Sequence, residues 1–243
     1  MNKEPMVNVI CDSINNKNRI TTLELEYWSG IHSDICKLRC LNIYEPKKVN
    51  GRDLINRAKA DPFIPCKTEL NISGMSINPE MVNANLDTIW QSLALGLTQV
   101  ADQITLLGIK DTVIKRILLP VSSVKILVTT TDIDELWRCK NNSEDPDFTL
   151  LIQTIQDKIV ESTPVEKEKE HLPYIDDREI GARDKDMIAL SCLRCMSFGK
   201  RDIPMKDAYD TFSHLDDNIK KELLCQIGLV DSNLDKWINP KTI

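Results

Sequence analysis

The stretch from residue 111 to residue 131, DTVIKRILLPVSSVKILVTTT, changes its hydrophobic period at Pro120. Before the proline, apolar residues recur at helical intervals, whereas β-branched residues dominate after it and indicate a strand. A helix joined in this way to a strand predicts a fold that contains both element types. The junction leaves one cation, Arg116, in the last turn of the helix.

Two further stretches fix the kind of fold. Residues 19–27, RITTLELEY, alternate with a period of two and predict a half-buried strand. IHSDICKLRCL at 31–41 predicts a short amphipathic helix. Helices are also predicted at 51–61, 79–107, 111–119, 147–162 and 184–197, with Asp111 and Asp147 as N-caps, a loop at 66–78, and a second strand at 123–131. We expect an α+β fold in which a mixed or antiparallel sheet is flanked by helices and the 79–107 helix is a packing spine.

The charge run EKEKE at 166–170 suggests a boundary within the chain. We predict a core domain over residues 1–165, a linker over 166–183, and a C-terminal helical segment over 184–243 that packs on the core.

Composition narrows the function. No run approaches the roughly 18 apolar residues of a membrane-spanning helix, and the N-terminus MNKEPMVNV lacks a signal-peptide core, so we expect a cytoplasmic protein without membrane contact. A formal charge of −6 disfavours nucleic acid as the main partner. An anion would therefore need a local cationic pocket. The small basic cluster near Arg52 lacks interleaved aromatic residues, which also argues against a nucleic-acid adaptor.

Eight cysteines raise the possibility of a metal site. Cys36 with Cys40, and Cys192 with Cys195, are the only closely spaced pairs. The first spacing is helical rather than that of a zinc knuckle, and the three histidines stand apart in the sequence. We therefore predict reduced, buried apolar thiols and no metal site.

Arg116 has two interpretations. A cation near a helix C-terminus gains a few tenths of a kcal/mol from the helix dipole, which needs no ligand. The alternative is a ligand-binding role. It comes from a resemblance rather than from spacing.

The segment LLGIKDTVIKRILLPVSSVKILVTTTDIDELW, residues 106–137, resembles part of the flavin-dependent thymidylate synthases. RITTLELEYWSGIHSDICKLR, NRAKADPFIP and the pair ESTP and HLPY resemble neighbouring parts of that family. LRCMSF at 193–198 resembles the family's flavin-site segment, placed late as in a rearranged phage or virus-type member. The similarity covers roughly residues 19–198.

The resemblance implies reductive methylation of dUMP to dTMP in the cytoplasm of a host, with FAD as cofactor and methylenetetrahydrofolate and NADPH as co-substrates. Cations and flavin would polarise the uracil ring, so no side-chain nucleophile is expected. It also implies a homotetramer. By resemblance, the positioning cations are Arg116 and Arg39, the nucleotide ligands are Lys37, Arg116 and Lys140, and the flavin ligands are Arg39, Asn42, Arg194 and Ser197.

The sequence departs from the family pattern at three places. Leu38 occupies the position of the signature histidine, and leucine offers no donor to a phosphate or a flavin. A gapless alignment gives Glu135 instead of an asparagine and Lys140 instead of an arginine, with Arg138 as the alternative. The family's late histidine segment is missing, and only His214 is nearby.

These departures leave two other functions open. A diverged, non-catalytic paralogue would keep the fold as a structural or interaction subunit. A deoxypyrimidine nucleotide hydroxymethylase would use the same folate and nucleotide sites but complete the transfer with water.

Overall fold

The computed structural model describes residues 4–16, 18–46, 50–64, 79–141, 143–167, 170–176, 179, 184–200, 204–231 and 236–238. The strands are β1 (Met6–Asn15), β2 (Asn18–Trp28), β3 (Asn42–Tyr44), β4 (Ser123–Thr130), β5 (Val165–Glu166), β6 (Glu170–His171), β7 (Gly228–Asp231) and β8 (Lys236–Ile238). The helices are α1 (His32–Ile35), α2 (Gly51–Ala60), α3 (Pro79–Leu106), α4 (Asp111–Leu118), α5 (Ile133–Asn141), α6 (Pro146–Glu161), α7 (Asp184–Met196), α8 (Met205–Ser213) and α9 (Asp217–Leu224). Short 3₁₀ turns occupy Ser29–Ile31 and Leu119–Val121.

The main sheet has five strands in the order β3-β4-β2-β1-β5. Its pairs are antiparallel except for β1 with β5, which is parallel, so the sheet is mixed. A smaller antiparallel sheet has the order β6-β7-β8. The predicted α+β class, with a mixed sheet flanked by helices, is confirmed.

The central strand β2 is buried on both faces rather than half-buried as its alternating pattern predicted. Leu23, Leu25 and Tyr27 point to one face and pack with α5 and α6. Thr22 and Glu24 point to the other face and are also buried. Apolar residues on that second face of the sheet, including Leu127, pack with α7 and α9. The alternation therefore separates an apolar face from a polar buried face, not a core from solvent.

A separate apolar cluster joins α2, α3 and α4. Leu54 and Ile55 of α2 and Ile114 and Leu118 of α4 are buried against the inner side of α3. We call α2, α3 and α4 together the helical layer. Within it, Arg52 and Lys59 of α2 form ion pairs with Asp102 of α3. The predicted spine helix thus packs on two helices rather than across the sheet.

Three predicted helix ends were wrong. The helix expected at 31–41 is a 3₁₀ turn followed by α1, and the chain turns after residue 35. Lys110, not Asp111, is the N-cap of α4, and no side chain caps that helix. Asp145, not Asp147, caps α6 and accepts hydrogen bonds from two backbone amides.

The segment predicted as a linker contributes strands where it is described. β5 extends the main sheet beside β1, and β6 begins the smaller sheet. His171 of β6 is fully buried. The predicted loop at 66–78 lies outside the described residues. No described helix is both long and apolar enough to cross a membrane.

Candidate functional site

A groove of about 240 Å³ lies where the sheet meets the helical layer. A second depression of about 320 Å³ shares six of its lining residues, so the two form one continuous groove. Its walls come from α2, the end of α4, the start of β4, the chain after β3 and the turn after α7. The cleft thus lies at the helix-to-strand junction that the sequence marks at Pro120.

The chain at the end of β2 contacts the segment that leads from α4 into β4, next to the groove. The indole of Trp28 stacks on Phe63 and donates its N–H to the carbonyl of Pro120 at 3.0 Å. The Ser29 hydroxyl donates to the carbonyl of Ser122 at 2.8 Å or of Leu119 at 2.6 Å. Because these groups are engaged within the chain, they fix the shape of the groove and leave ligand recognition to the side chains around it.

The turn after α7 projects two side chains into the groove. Phe198 has φ of 51° and Gly199 has φ of 71°, both in the left-handed region. A Cβ on Gly199 would lie 2.9 Å from the ring of Tyr174, so only glycine fits there. This turn places Phe198 and Lys200 on the groove wall.

Among the described residues, four lysine and arginine side chains line the groove, and two of them are neutralised by carboxylates. Lys115 Nζ lies 2.7 Å from Glu45, and hydrogen bonds from His32 and Lys115 lower the pKa of Glu45 to about 2. Lys125 Nζ lies 2.6 Å from Glu24 and 4.9 Å from the centre of the Phe198 ring. These pairs are built into the fold and leave little net charge for a ligand.

The other two cations, Arg57 and Lys200, form no ion pair with a carboxylate within the part of the chain that the structure describes. Both line the shared part of the groove. Glu26, Asp53 and Asp61 also lie along it, and Glu26 accepts a hydrogen bond from Ser123 at 2.7 Å. The groove can therefore offer cations to a phosphate and carboxylates to N–H or O–H donors of the same ligand.

The predicted nucleotide cations do not line this groove. Arg116 is an exposed residue in the last turn of α4, next to the lining residue Lys115. Lys37 is exposed and paired with Asp34 at 2.7 Å. Lys140 on α5 donates to the Gln153 side chain of α6. Each of these roles remains a prediction, and Lys47 and Lys48, also considered for the basic field, lie outside the described residues.

The predicted flavin ligands are divided among separate places. Arg39 is exposed, and Asn42 lines a different depression beside α9. Arg194 forms a bidentate ion pair with Glu179, at 2.6 and 2.7 Å, and this contact lowers the pKa of Glu179. The Ser197 hydroxyl donates to carbonyls of its own helix. Within one chain these four side chains do not form a single flavin cradle.

The cysteine prediction is half confirmed. Cys192 and Cys195 are buried in the apolar cluster between the sheet and α7, and burial raises the pKa of both thiols. Cys36 is exposed instead, with Sγ 3.5 Å from His32 Nε2. Among the described residues, no three His, Cys, Asp or Glu side chains are grouped as metal ligands would be.

A second polar cluster lies inside the sheet, away from the groove. The imidazole of His171 contacts the hydroxyls of Thr22 at 2.8 Å and Ser13 at 2.9 Å. Thr22 contacts Thr129 at 2.6 Å, and Thr129 donates to the Gln226 side chain at 2.9 Å. Burial lowers the pKa of His171 to about 3, so the ring is neutral at pH 7. This cluster is internal structure rather than a binding site.

Comparisons with protein-family models and with curated proteins found no match to this chain. The groove therefore has to be interpreted from its own residues. Arg57 and Lys200 were not singled out by sequence, because their shared position depends on how α2 meets the turn after α7. The sequence pointed only to the segments in which these two cations lie or which they follow. Arg57 lies within NRAKADPFIP, and Lys200 follows LRCMSF by two residues.

Proposed function

We propose that this chain binds a phosphorylated pyrimidine nucleotide in the groove, as a diverged relative of the flavin-dependent thymidylate synthases. The proposed substrate is dUMP, and the proposed reaction is its reductive methylation to dTMP with methylenetetrahydrofolate. The nucleotide phosphate would lie between Arg57 and Lys200, and the ring N–H and sugar hydroxyl would face the groove carboxylates.

One observation carries the proposal: segments that resemble the same family, though distant in sequence, line one groove. Arg57 comes from NRAKADPFIP, Lys115 from the 106–137 segment, and Phe198 from LRCMSF. Segments that had only helix or strand propensity in common would have no reason to meet at a single groove. Arg57 and Lys200, which pair with no carboxylate among the described residues, then supply the charge that a dianionic phosphate requires.

Support for the flavin is weaker than support for the nucleotide. The side chains expected to hold FAD are separated, and Arg194 is already satisfied by Glu179. Nucleotide binding is therefore the part of the proposal to test first. Flavin binding and assembly as a homo-oligomer follow as separate questions.

The first experiment is a calorimetric titration of the purified protein with dUMP and, separately, with deoxyuridine. Because the phosphate would contact Arg57 and Lys200, dUMP should bind at least about 10-fold more tightly than the nucleoside. Arg57→Gln should remove most of that difference while leaving deoxyuridine affinity unchanged.

Arg52→Gln is the matched control, since Arg52 is a cation on the same helix as Arg57 that pairs with Asp102 and does not line the groove. Absence of dUMP binding, or equal loss with Arg52→Gln, would refute the groove as the nucleotide site. A visible-absorption titration with FAD, with and without dUMP, then tests the cofactor. dTMP formation with methylenetetrahydrofolate and NADPH tests the reaction, and a hydroxymethylated product would identify the alternative activity.

The second candidate is a non-catalytic paralogue, and one observation favours it. Leu38, at the position of the signature histidine, packs against the apolar core of the sheet. There it stabilises the fold instead of contacting a ligand. A protein that binds neither dUMP nor FAD but forms a stable complex with an active synthase subunit would support this function.

A further inference from the structure

We propose that the outer face of α3 is a two-fold interface with a second copy of this chain. The resemblance implies an oligomer but assigns no surface to it; the exposed side chains of α3 assign one. This inference does not depend on whether the groove binds nucleotide.

Exposed apolar residues are concentrated on and just after α3. The described part of the chain exposes thirteen large hydrophobic side chains, and eight of them lie between residues 86 and 109. They are Leu86, Ile89, Leu93, Leu95, Val100, Leu106, Leu107 and Ile109. Single exposed apolar residues are ordinary, but a concentration on one element indicates an interaction surface.

The spacing makes a continuous stripe along the helix. Leu86, Leu93 and Val100 recur every seven residues, with Ile89 and Gly96 between them. Residues at three- and four-residue steps lie on one side of a helix. The inner side of α3, marked by Ala94 and Ala101, is already covered by α2 and α4. The apolar arc of α3 is thus wider than the described residues of its own chain cover.

Gly96 lies near the middle of this stripe, and among the residues that the structure describes no atom outside the adjacent turns of α3 lies within 4 Å of a Cβ built on it. The fold therefore has no steric need for glycine here. A glycine at this position allows the backbone of a second helix to approach closely. With a two-fold axis near Gly96, Leu93 of one copy meets Val100 of the other, because these residues lie almost symmetrically about it.

The charges on α3 favour a second copy over a charged partner. The 28-residue helix contains no lysine or arginine. Asp102 is directed to Arg52 and Lys59 of α2. The other exposed side of the helix has uncharged polar residues such as Ser92 and Gln99. The stretch from Ile89 to Val100 contains no charged residue, so two copies of a chain with formal charge −6 can meet there without bringing carboxylates together.

The test is sedimentation velocity over a range of protein concentrations. The wild-type protein should sediment as a multiple of its 27.7 kDa chain mass. Leu93→Lys should raise the dissociation constant by about 30-fold or more, because it buries a charge in the interface. Gly96→Leu should weaken association similarly by holding the two helices apart, with an unchanged circular dichroism spectrum because the site is open within the chain.

Val160→Lys is the control, since Val160 is a 74% exposed apolar residue on α6, far from α3 in sequence. Its association should match that of the wild type. A wild-type protein that stays at 27.7 kDa, or a Leu93→Lys variant that associates as tightly as Val160→Lys, would overturn the interface.

Discussion

The sheet and the helical layer bury apolar surface in different ways. The sheet is covered on both faces, so Ile126 in its centre has no solvent exposure. Where the structure describes it, α3 in the helical layer is covered on its inner side and Ile89 on its outer side is 61% exposed. Isoleucine therefore has a different role in each region. In the sheet it stabilises the single chain, and on α3 it is exposed and can contact another molecule.

The largest expected effect is in the core of the sheet. Ile126→Ala should lower the free energy of unfolding by about 3–4 kcal/mol, because it leaves a cavity between β4 and the helices above it. Urea denaturation of dilute protein, where association is negligible, measures the change. A loss below about 1 kcal/mol would mean that this region is not the closed core described here.

The next effect depends on pH and concerns the polar side of the sheet. His171 has a pKa of about 3 in the folded protein and about 6.5 when unfolded. As pH falls below 6.5, only the unfolded state gains the proton, so stability decreases as pH falls. Between pH 7 and pH 5 the loss should be about 2 kcal/mol.

His171→Gln should flatten this decrease, measured as the difference in urea midpoints at the two pH values. The other groups near the ring are Cys11, Asp12 and Lys167. The pKa of Glu45 is lowered to about 2, so its contribution to stability is lost only as pH falls below about 4.5, which is outside the range from pH 7 to pH 5. An unchanged slope in His171→Gln would show that the ring does not titrate as described.

A smaller effect compares threonine hydroxyls in the two regions. Thr129→Val should cost about 1–2 kcal/mol of unfolding free energy, because the Gln226 side chain loses a donor in a buried site. Thr105→Val on α3 removes only a hydroxyl bonded to the carbonyl of Ala101 in the same helix, and should change stability by less than about 0.5 kcal/mol. Equal losses of unfolding free energy at the two positions would mean that the threonine hydroxyls in the sheet and in the helical layer contribute alike to stability.

The smallest effect is expected on the face of α3. Ile89→Ala should change the unfolding free energy of the dilute protein by less than about 0.5 kcal/mol. At concentrations where the protein associates, the same change should weaken the complex. A large loss in dilute protein would mean that Ile89 already packs within its own chain.

Local patterns predicted the longer helices and two of the eight described strands, β2 and β4, and the failures have physical causes. β1 was not recognised because a bulge between Val9 and Cys11 interrupts its two-residue alternation. The cap of α6 was assigned to Asp147, although proline favours the first helical position, which would have identified Asp145 before Pro146 as the cap. β2 was expected to face solvent on one side because hydroxyl and carboxylate residues usually do; here Thr22 and Glu24 are satisfied by partners over 100 residues away.

The candidate site was less predictable than the fold. Three segments chosen by the resemblance contribute residues to the walls of one groove, but the site residues that the resemblance implies do not line it. Arg194 illustrates the reason. Its guanidinium is bound by Glu179, a partner that lies in a separate segment and cannot be recognised from local spacing.

Thr22 has a consequence for how the chain is made. Its single hydroxyl contacts Thr129, His171 and, at 3.4 Å, the carbonyl of Gln226, across sequence separations of 107, 149 and 204 residues. During synthesis, the polar face of β2 has no native partners until the last of these segments has left the ribosome. Long-range closure of this kind slows folding. The centre of the sheet is therefore among the first parts of this protein to be made and among the last to be completed.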